Sequence, residues 1–225
     1  MKTIRTKGIV LRRTNYGEAD RIVQLLTPDN GVLSVMAKGV RKEKSRLAGG
    51  IELFATCDVT VGSGKGELGI LTAARLETFF SHIMTDYDRL QFGYDAIKQV
   101  AKVAATLDEP AFYELLEQTF VSLNDPSIDV RLTRIWFWLQ LAILLGVGMN
   151  LSTDSNGMKL VEDARYNFSE HDQGFVFHDN GTFSADHVKL LRILSAQLPK
   201  VASHVAGVEG LLNDCLWVAE RAVTH

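Results

Sequence analysis

The first 75 residues hold five short segments of strand character separated by turns, and this spacing limits the folds open to the chain. The segments are rich in β-branched and apolar residues and lie at 8–14, 21–27, 32–37, 56–61 and 68–72. Tight turns cannot join parallel strands, because a parallel crossover needs a dozen or more residues. The one long connection among them, 38–53, follows the third segment, which is typical of an OB-fold. We therefore predict a small five-stranded antiparallel barrel.

Beyond about residue 80 the hydrophobic pattern takes a helical period. An apolar stripe predicts which face of the first helix packs inward, and its members are Ile83, Tyr87, Leu90, Tyr94, Ile97, Ala101 and Ala104. Further helices are predicted at 109–123, 128–145, 184–198 and 205–223. The helix at 128–145 is apolar almost all round, so it should be central and buried.

An irregular insert is predicted between these helices, at about 146–183, with a hairpin near 166–168 and 175–177. The predicted fold class is therefore α+β. An OB-fold domain at 1–80 would be followed by an all-helical domain at 81–225 that contains the insert.

The charge of the chain is unevenly distributed. A formal net charge of −3 and an isoelectric point near 6.1 exclude a uniformly basic nucleic-acid binder. Residues 1–80 nevertheless contain 13 Lys and Arg against 8 Asp and Glu, whereas residues 81–225 contain 11 against 19. This asymmetry predicts two parts with different electrostatic roles.

A basic segment lies in the long connection of the predicted barrel, at 38–46. Its cationic residues are Lys38, Arg41, Lys42, Lys44 and Arg46, with one acid, Glu43, among them. Because Lys and Arg are common phosphate contacts, we favour binding of nucleic-acid phosphates here over a merely solvated loop. Five further cations, in or just before the first two strand segments, extend the predicted surface across the barrel: Arg5, Lys7, Arg12, Arg13 and Arg21. Only Tyr16 and Phe54 are aromatic in the first 75 residues, so we expect electrostatic, sequence-tolerant binding.

No pattern in the sequence indicates a catalytic, metal or cofactor site. Cys57 and Cys215 are too few for a disulfide framework or a four-cysteine zinc site, and we expect reduced, partly buried thiols. Residues 64–69 match G-x-G-x-x-G, but they lie between two strand segments, which favours a hairpin turn over a dinucleotide site. The apolar run at 135–147 is too short to span a membrane, and the first residues do not resemble a signal peptide. We therefore expect a cytoplasmic, non-enzymatic protein.

The first 50 residues also contain five short blocks in a specific order: GIVL at 8–11, YGEAD at 16–20, LTP at 26–28 with Gly31, AKGVR at 37–41, and SRL at 45–47. Together they resemble the RecO family of bacterial DNA-repair and recombination mediator proteins. The resemblance implies an OB-fold that binds single- and double-stranded DNA, anneals strands and helps to load recombinase. It implies RecR and the acidic tail of the single-strand-binding protein as partners. Lys38 and Arg41 match the family's fourth block, whereas Lys42, Lys44 and Arg46 are assigned on charge alone.

The rest of the chain resembles the family in outline and departs from it at one point. Many members carry a four-cysteine zinc site in the insert, whereas residues 146–183 contain no cysteine. We therefore expect no zinc ribbon. The hairpin should instead be held by packing of Tyr166, Phe168, Phe175 and Phe177.

Two other functions stay open at this point. One is a non-catalytic interaction scaffold whose OB barrel binds a peptide, which would show no salt-linked binding of DNA. The other is a nucleotide-dependent enzyme built on residues 64–69, which would need NAD or ATP as cofactor.

Overall fold

The computed structural model describes residues 3–107 and 109–223, and Asp108, which directly precedes the helix predicted at 109–123, lies outside the described residues. The chain forms two compact units that divide between Asn124 and Asp125. The predicted boundary near residue 80 coincides with the change from strands to helices. The first unit therefore contains the five N-terminal strands and the first two α-helices.

The first unit is built on a closed five-stranded barrel, as predicted. Its strands are β1 (Ile4–Tyr16), β2 (Asp20–Thr27), β3 (Gly31–Ala37), β4 (Ala55–Lys65) and β5 (Leu68–Phe79), and their order around the barrel is β1-β2-β3-β5-β4. Four neighbouring pairs are antiparallel. The fifth, β3 with β5, is parallel and short, pairing Val35 with Gly69 and Met36 with Ile70. A parallel closure is possible here because no tight turn joins these two strands.

The predicted alternation along the strands is confirmed by burial. Cys57, Val59 and Val61 face the barrel core, as do Val35 and Ala37. Burial raises the pKa of the Cys57 thiol to about 11. The strand β5 runs seven residues beyond its predicted end at 72, because antiparallel pairing with β4 continues through Phe79 with interruptions of register. The segment 62–69 forms the predicted hairpin connection, with Gly66 at a positive φ.

Two helices follow the barrel within the first unit, α1 (Tyr87–Ala104) and α2 (Ala111–Asn124). The predicted inward face of α1 is partly wrong, because Tyr87 and Tyr94 are 77% and 47% exposed. The buried face centres instead on Gly93, where a Cβ atom would lie 2.7 Å from the Phe54 ring. This close approach fixes the rotation of the helix and leaves Tyr94 beside the Phe54 ring, with centroids 5.0 Å apart.

The second unit surrounds the apolar helix α3 (Val130–Leu144), whose central position was predicted. Most of its side chains are buried, although the apolar side chain of Ile143 is 48% exposed. The other helices are α4 (Ala185–Ala196), α5 (Pro199–Ala202) and α6 (Leu212–Arg221). The last helix begins later than the predicted residue 205, because Gly207 has a φ of 73° and a 3-10 turn, Val208–Leu211, follows it.

The insert of the second unit forms a three-stranded sheet. Its strands are β6 (Asn150–Asp154), β7 (Tyr166–Ser169) and β8 (Gly174–Phe177), in the order β6-β8-β7. The hairpin of β7 and β8 was predicted, whereas β6 was not. The predicted aromatic packing is confirmed: Tyr166 contacts the rings of Phe175 and Phe177, and Phe168 contacts that of Phe175.

Two kinds of feature are missing from the part of the chain that the structure describes. Within 3–107 and 109–223, no group of His, Cys, Asp and Glu side chains is arranged to hold a metal ion. Over the same ranges, no helix has both the length and the apolarity required to cross a membrane.

Candidate nucleic-acid interface

The basic segment 38–46, called here the basic loop, is anchored on the turn between β1 and β2. The Asp20 carboxylate accepts a hydrogen bond from the Gly39 backbone N–H at 2.7 Å, and the Arg41 backbone N–H donates to the Ala19 carbonyl at 2.9 Å. Gly39 has a φ of 63°, a conformation that favours glycine. Two sequence blocks about 20 residues apart thus meet at one junction.

The loop also stabilises its own backbone. The Lys42 N–H donates to the Gly39 carbonyl at 3.1 Å, and the Ser45 N–H donates to the Lys42 carbonyl at 3.0 Å. Val40 is buried in the barrel core, and Leu47 packs against the same core just beyond the loop. Because backbone groups and apolar anchors hold the loop, its charged side chains are not needed to shape it.

The five cationic side chains of the loop are exposed to solvent. In the part of the chain that the structure describes, none of them forms an ion pair with a carboxylate. The Arg41 guanidinium donates one hydrogen bond, to the Gly17 carbonyl at 3.3 Å, and its other N–H groups stay available to bind a ligand. The loop therefore presents a cluster of available cations: Lys38, Arg41, Lys42, Lys44 and Arg46.

Two of the strand residues predicted to extend this surface are engaged by carboxylates. Lys7 forms an ion pair with Glu77, whose hydrogen bond raises the pKa of the lysine. Arg13 pairs with Glu52 at 3.1 Å and donates to the Ile51 carbonyl at 3.3 Å. Both are poor candidates for phosphate contacts.

The remaining strand residues do not all share one face. Arg12 lies opposite Gln24 and is exposed, whereas Arg13 lies opposite the core residue Val23, so the two arginines point to opposite sides of the sheet. Arg21 is half-buried opposite Ala37, next to the start of the basic loop, and donates to Asn15 at 3.0 Å. Arg21 is therefore the strand residue that the register brings beside the loop.

The aromatic residues add little to the interface. Tyr16 is 56% exposed at the end of β1, near the loop anchor. Phe54 is 2% exposed and packs against Phe120 as well as Tyr94, so it is part of the core and is not a stacking platform. The interface is electrostatic in character.

Two functional candidates escaped the sequence reasoning. Asp20 positions the loop. In the sequence it is visible only as the acidic residue that ends the YGEAD block, with no evident role on a basic surface. Arg75 is an exposed cation on β5, in the part of the strand beyond its predicted end at residue 72.

Comparisons with known proteins bear on both units. A family model described as "Recombination protein O N terminal" matches residues 1–80. Two proteins named "DNA repair protein RecO" from Dehalococcoides mccartyi strains 195 and CBDB1 are each 30% identical, over 84% and 78% of this chain and 77% and 69% of their own lengths. A third, from Thermobifida fusca, is 36% identical over 52% of this chain, which spans about half (48%) of that protein.

Proposed function

The chain belongs to the RecO family, and from that premise we propose that it is a DNA-binding mediator of repair and recombination. It would bind and anneal DNA strands and assist recombinase loading together with RecR. The observation that carries the proposal is the basic loop, which exposes five cations on a backbone that is already fixed. No covalent step is needed, so the protein would act without being an enzyme.

The mechanism rests on charge neutralisation. Two DNA strands repel each other through their phosphates, and a cationic surface lowers this repulsion while releasing counterions. Each phosphate contact should add about 0.7 to the logarithmic salt slope for single-stranded DNA. A loop whose backbone is already ordered before binding loses little conformational entropy when DNA binds, which favours affinity. Strand choice is then left to base pairing.

A groove in the second unit is the place we propose for the acidic tail of the single-strand-binding protein. It has a volume of about 170 Å³, and Leu160, Val161 and Val188 contribute apolar side chains. Lys189 and Arg192 supply cations at its edge. Lys189 is paired with Glu162, so an acidic tail would exchange one carboxylate partner for another.

Reversal of three loop charges tests the DNA-binding proposal. We expect Lys42→Glu, Lys44→Glu and Arg46→Glu together to weaken binding of single-stranded DNA at low salt at least tenfold. They should lower the salt slope by about 2, because three phosphate contacts are lost. The measurement is fluorescence anisotropy over a salt titration, with circular dichroism to confirm folding.

The matched control reverses three exposed lysines elsewhere, Lys98, Lys102 and Lys159, with the same change in net charge. It should keep most of the affinity. Equal losses in both variants would show an effect of net charge alone, and an unchanged affinity of the loop variant would contradict the proposal. Absence of salt-linked DNA binding in the unaltered protein would favour the peptide-binding scaffold instead.

A further inference from the structure

A second cationic surface lies on the outer face of β1, β4 and β5. These strands enclose a shallow groove of about 490 Å³. Its outward residues form two cross-strand rows, Arg5–Thr60–Ala73 and Lys7–Asp58–Arg75. The small side chains of Thr60 and Ala73 leave the floor of the groove open between the two arginines.

The two arginines of the groove are free to bind a ligand. Arg5 and Arg75 are exposed, and among residues 3–107 and 109–223 neither has a hydrogen bond or an ion pair. Lys7 is engaged by Glu77, and the Asp58 carboxylate lies between Lys7 and Arg75 in the second row. The groove therefore offers two unpaired guanidinium groups and one exposed carboxylate.

The groove and the basic loop lie at opposite ends of β1. Arg5 is at the start of the strand, whereas the loop contacts Gly17, just after its end. Twelve residues of extended strand span up to about 40 Å, and the register shift between Val10 and Arg12 bends this path. A short stretch of DNA held by one surface would leave the other vacant.

Resting on the proposed function, we propose that this groove binds a second single strand while the basic loop holds the first. Guanidinium groups bind phosphate oxygens in bidentate fashion, so Arg5 and Arg75 would bind the phosphates of the DNA strand. Asp58 repels phosphate but accepts hydrogen bonds from the amino groups of bases, as carboxylates do from cytosine N4. Unpaired bases offer these groups freely, so the groove favours single strands.

The same chemistry provides for release. When the second strand pairs with the first, one N–H of each amino group enters a Watson–Crick hydrogen bond and the other points into the major groove of the duplex. Asp58 has a short side chain on a shallow outer face and does not reach into that groove, so it loses these partners and keeps its repulsion of phosphate. None of the described residues that line the groove is aromatic, which removes them as a source of stacking affinity. The groove therefore holds an unpaired strand weakly and a paired one more weakly still.

The test counts strands per protein chain. We use non-complementary, differently labelled oligonucleotides of about 6 nucleotides, too short to reach both surfaces, and measure anisotropy and stoichiometry at low salt, with sedimentation to count chains per complex. The unaltered protein should show a tight and a weak step, with two strands per chain. Arg5→Glu with Arg75→Glu should abolish the weak step and change the tight affinity less than about threefold. Lys98→Glu with Lys102→Glu is the matched control and should keep both steps.

The outcomes separate this inference from the proposed function. Persistence of both steps in the Arg5→Glu, Arg75→Glu variant overturns the groove assignment alone. An unchanged tight step in the loop variant overturns the proposed function, whatever the groove variant does. The weak step should also favour oligo-dC over oligo-dT, because thymine lacks an amino group, and Asp58→Ala should remove this preference. Binding of polyglutamate but no second DNA strand would assign the groove to an acidic peptide and overturn the proposal.

Discussion

At the scale of single residues, Asp20 shows that position can outweigh charge. It is an acid within a site proposed for an anion, yet its carboxylate holds the Gly39 N–H and with it the start of the basic loop. Electrostatics alone would count Asp20 as unfavourable to DNA. Its hydrogen bond makes it a positioning residue.

Replacing Asp20 separates these two effects. We expect Asp20→Ala to lower the free energy of unfolding by about 1–2 kcal/mol, because a part-buried hydrogen bond to a charged group is lost. We expect it also to weaken DNA binding about fivefold, since the loop must then be ordered on binding. Glu18→Ala removes the same charge from the same turn, where Glu18 is exposed, and should bind DNA at least as well as the unaltered protein. Tighter binding by the Asp20 variant would contradict the positioning role.

Gly50 is a second position where one residue decides local packing. A Cβ atom there would lie 2.3 Å from the Ala74 backbone carbon on β5, whereas at Gly49 nothing lies within 4 Å. We expect Gly50→Ala to destabilise the protein by about 1–3 kcal/mol through overpacking. Gly49→Ala should stay within about 0.5 kcal/mol of the unaltered protein. Urea unfolding measures both, and similar values for the two variants would contradict the close approach.

The residue scale is also where the sequence was least informative. The five cations of the basic loop could be named from local composition, because they are neighbours along the chain. Lys7 and Arg13 could not be excluded in the same way, since their partners Glu77 and Glu52 lie 70 and 39 residues away. Pairing over such distances depends on strand register, which the period of two does not reveal.

At the scale of elements, the sheet of the second unit depends on an aromatic cluster. Phe175 is fully buried and contacts the rings of Tyr166, Phe168 and Phe183. We expect Phe175→Ala to cost about 3–5 kcal/mol of stability. Phe177→Ala is the control, because Phe177 is 52% exposed and should cost much less.

The same cluster predicts that the insert does not depend on metal. We expect addition of EDTA to leave the thermal midpoint and the near-ultraviolet circular dichroism unchanged, since ring contacts hold this sheet and no group of metal ligands is found within residues 3–107 and 109–223. A fall in the midpoint that zinc restores would contradict this prediction.

The contact between α4 and α6 predicts a dependence on pH. Burial lowers the pKa of His187, while Asp214 and Asp186 raise it and Arg165 lowers it further. His187 Nδ1 accepts a hydrogen bond from the Ser184 N–H at 3.1 Å, which requires the unprotonated nitrogen. A histidine with a lowered pKa binds protons better when unfolded, so its contribution is complete above about pH 6.5 and is lost as the pH falls.

Replacing His187 by glutamine tests that contribution. Glutamine can accept the same capping hydrogen bond at this position without titrating. We therefore expect His187→Gln to reduce the loss of unfolding free energy between neutral and mildly acidic pH, measured by urea titrations. An unchanged slope would mean that other groups cause the pH dependence.

Elements themselves were predicted well where the period was strong. All five barrel strands were expected, as was the hairpin of β7 and β8. The rotation of α1 was not, because the glycine contact at Gly93 overrides an apolar stripe that contains Tyr87 and Tyr94. The strand β6 (Asn150–Asp154) has a polar sequence, NLSTD, and pairs with β8 through few residues, so no periodic signal marked it.

At the scale of the whole molecule, charge and compactness divide the chain differently. Residues 1–80 are basic, but the first compact unit also includes the acidic helices α1 and α2. Residues 1–124 contain 16 Lys and Arg against 15 Asp and Glu. The cationic interface is thus a local feature of a nearly neutral unit, which explains why overall charge gave so little indication of it.

The distribution of tryptophan lets each unit be followed separately. All three tryptophans, Trp136, Trp138 and Trp217, belong to the second unit. We expect Phe175→Ala to shift the urea transition followed by tryptophan fluorescence, and Gly50→Ala to shift mainly the part of the circular dichroism transition that fluorescence does not report. Identical shifts by both probes for both variants would show that the chain unfolds as one cooperative body.

The way the basic loop is held has a consequence for adaptation. The shape of the loop comes from main-chain hydrogen bonds, Asp20 and two apolar anchors. Within the described residues, only Arg41 among its cations also bonds the neighbouring turn, at the Gly17 carbonyl, so the other four can be exchanged with little penalty to folding. The ionic strength at which the protein works is then adjustable one side chain at a time. Homologous proteins from cells with a high or a low internal salt concentration should differ in the number of cations in this loop and keep the same loop backbone.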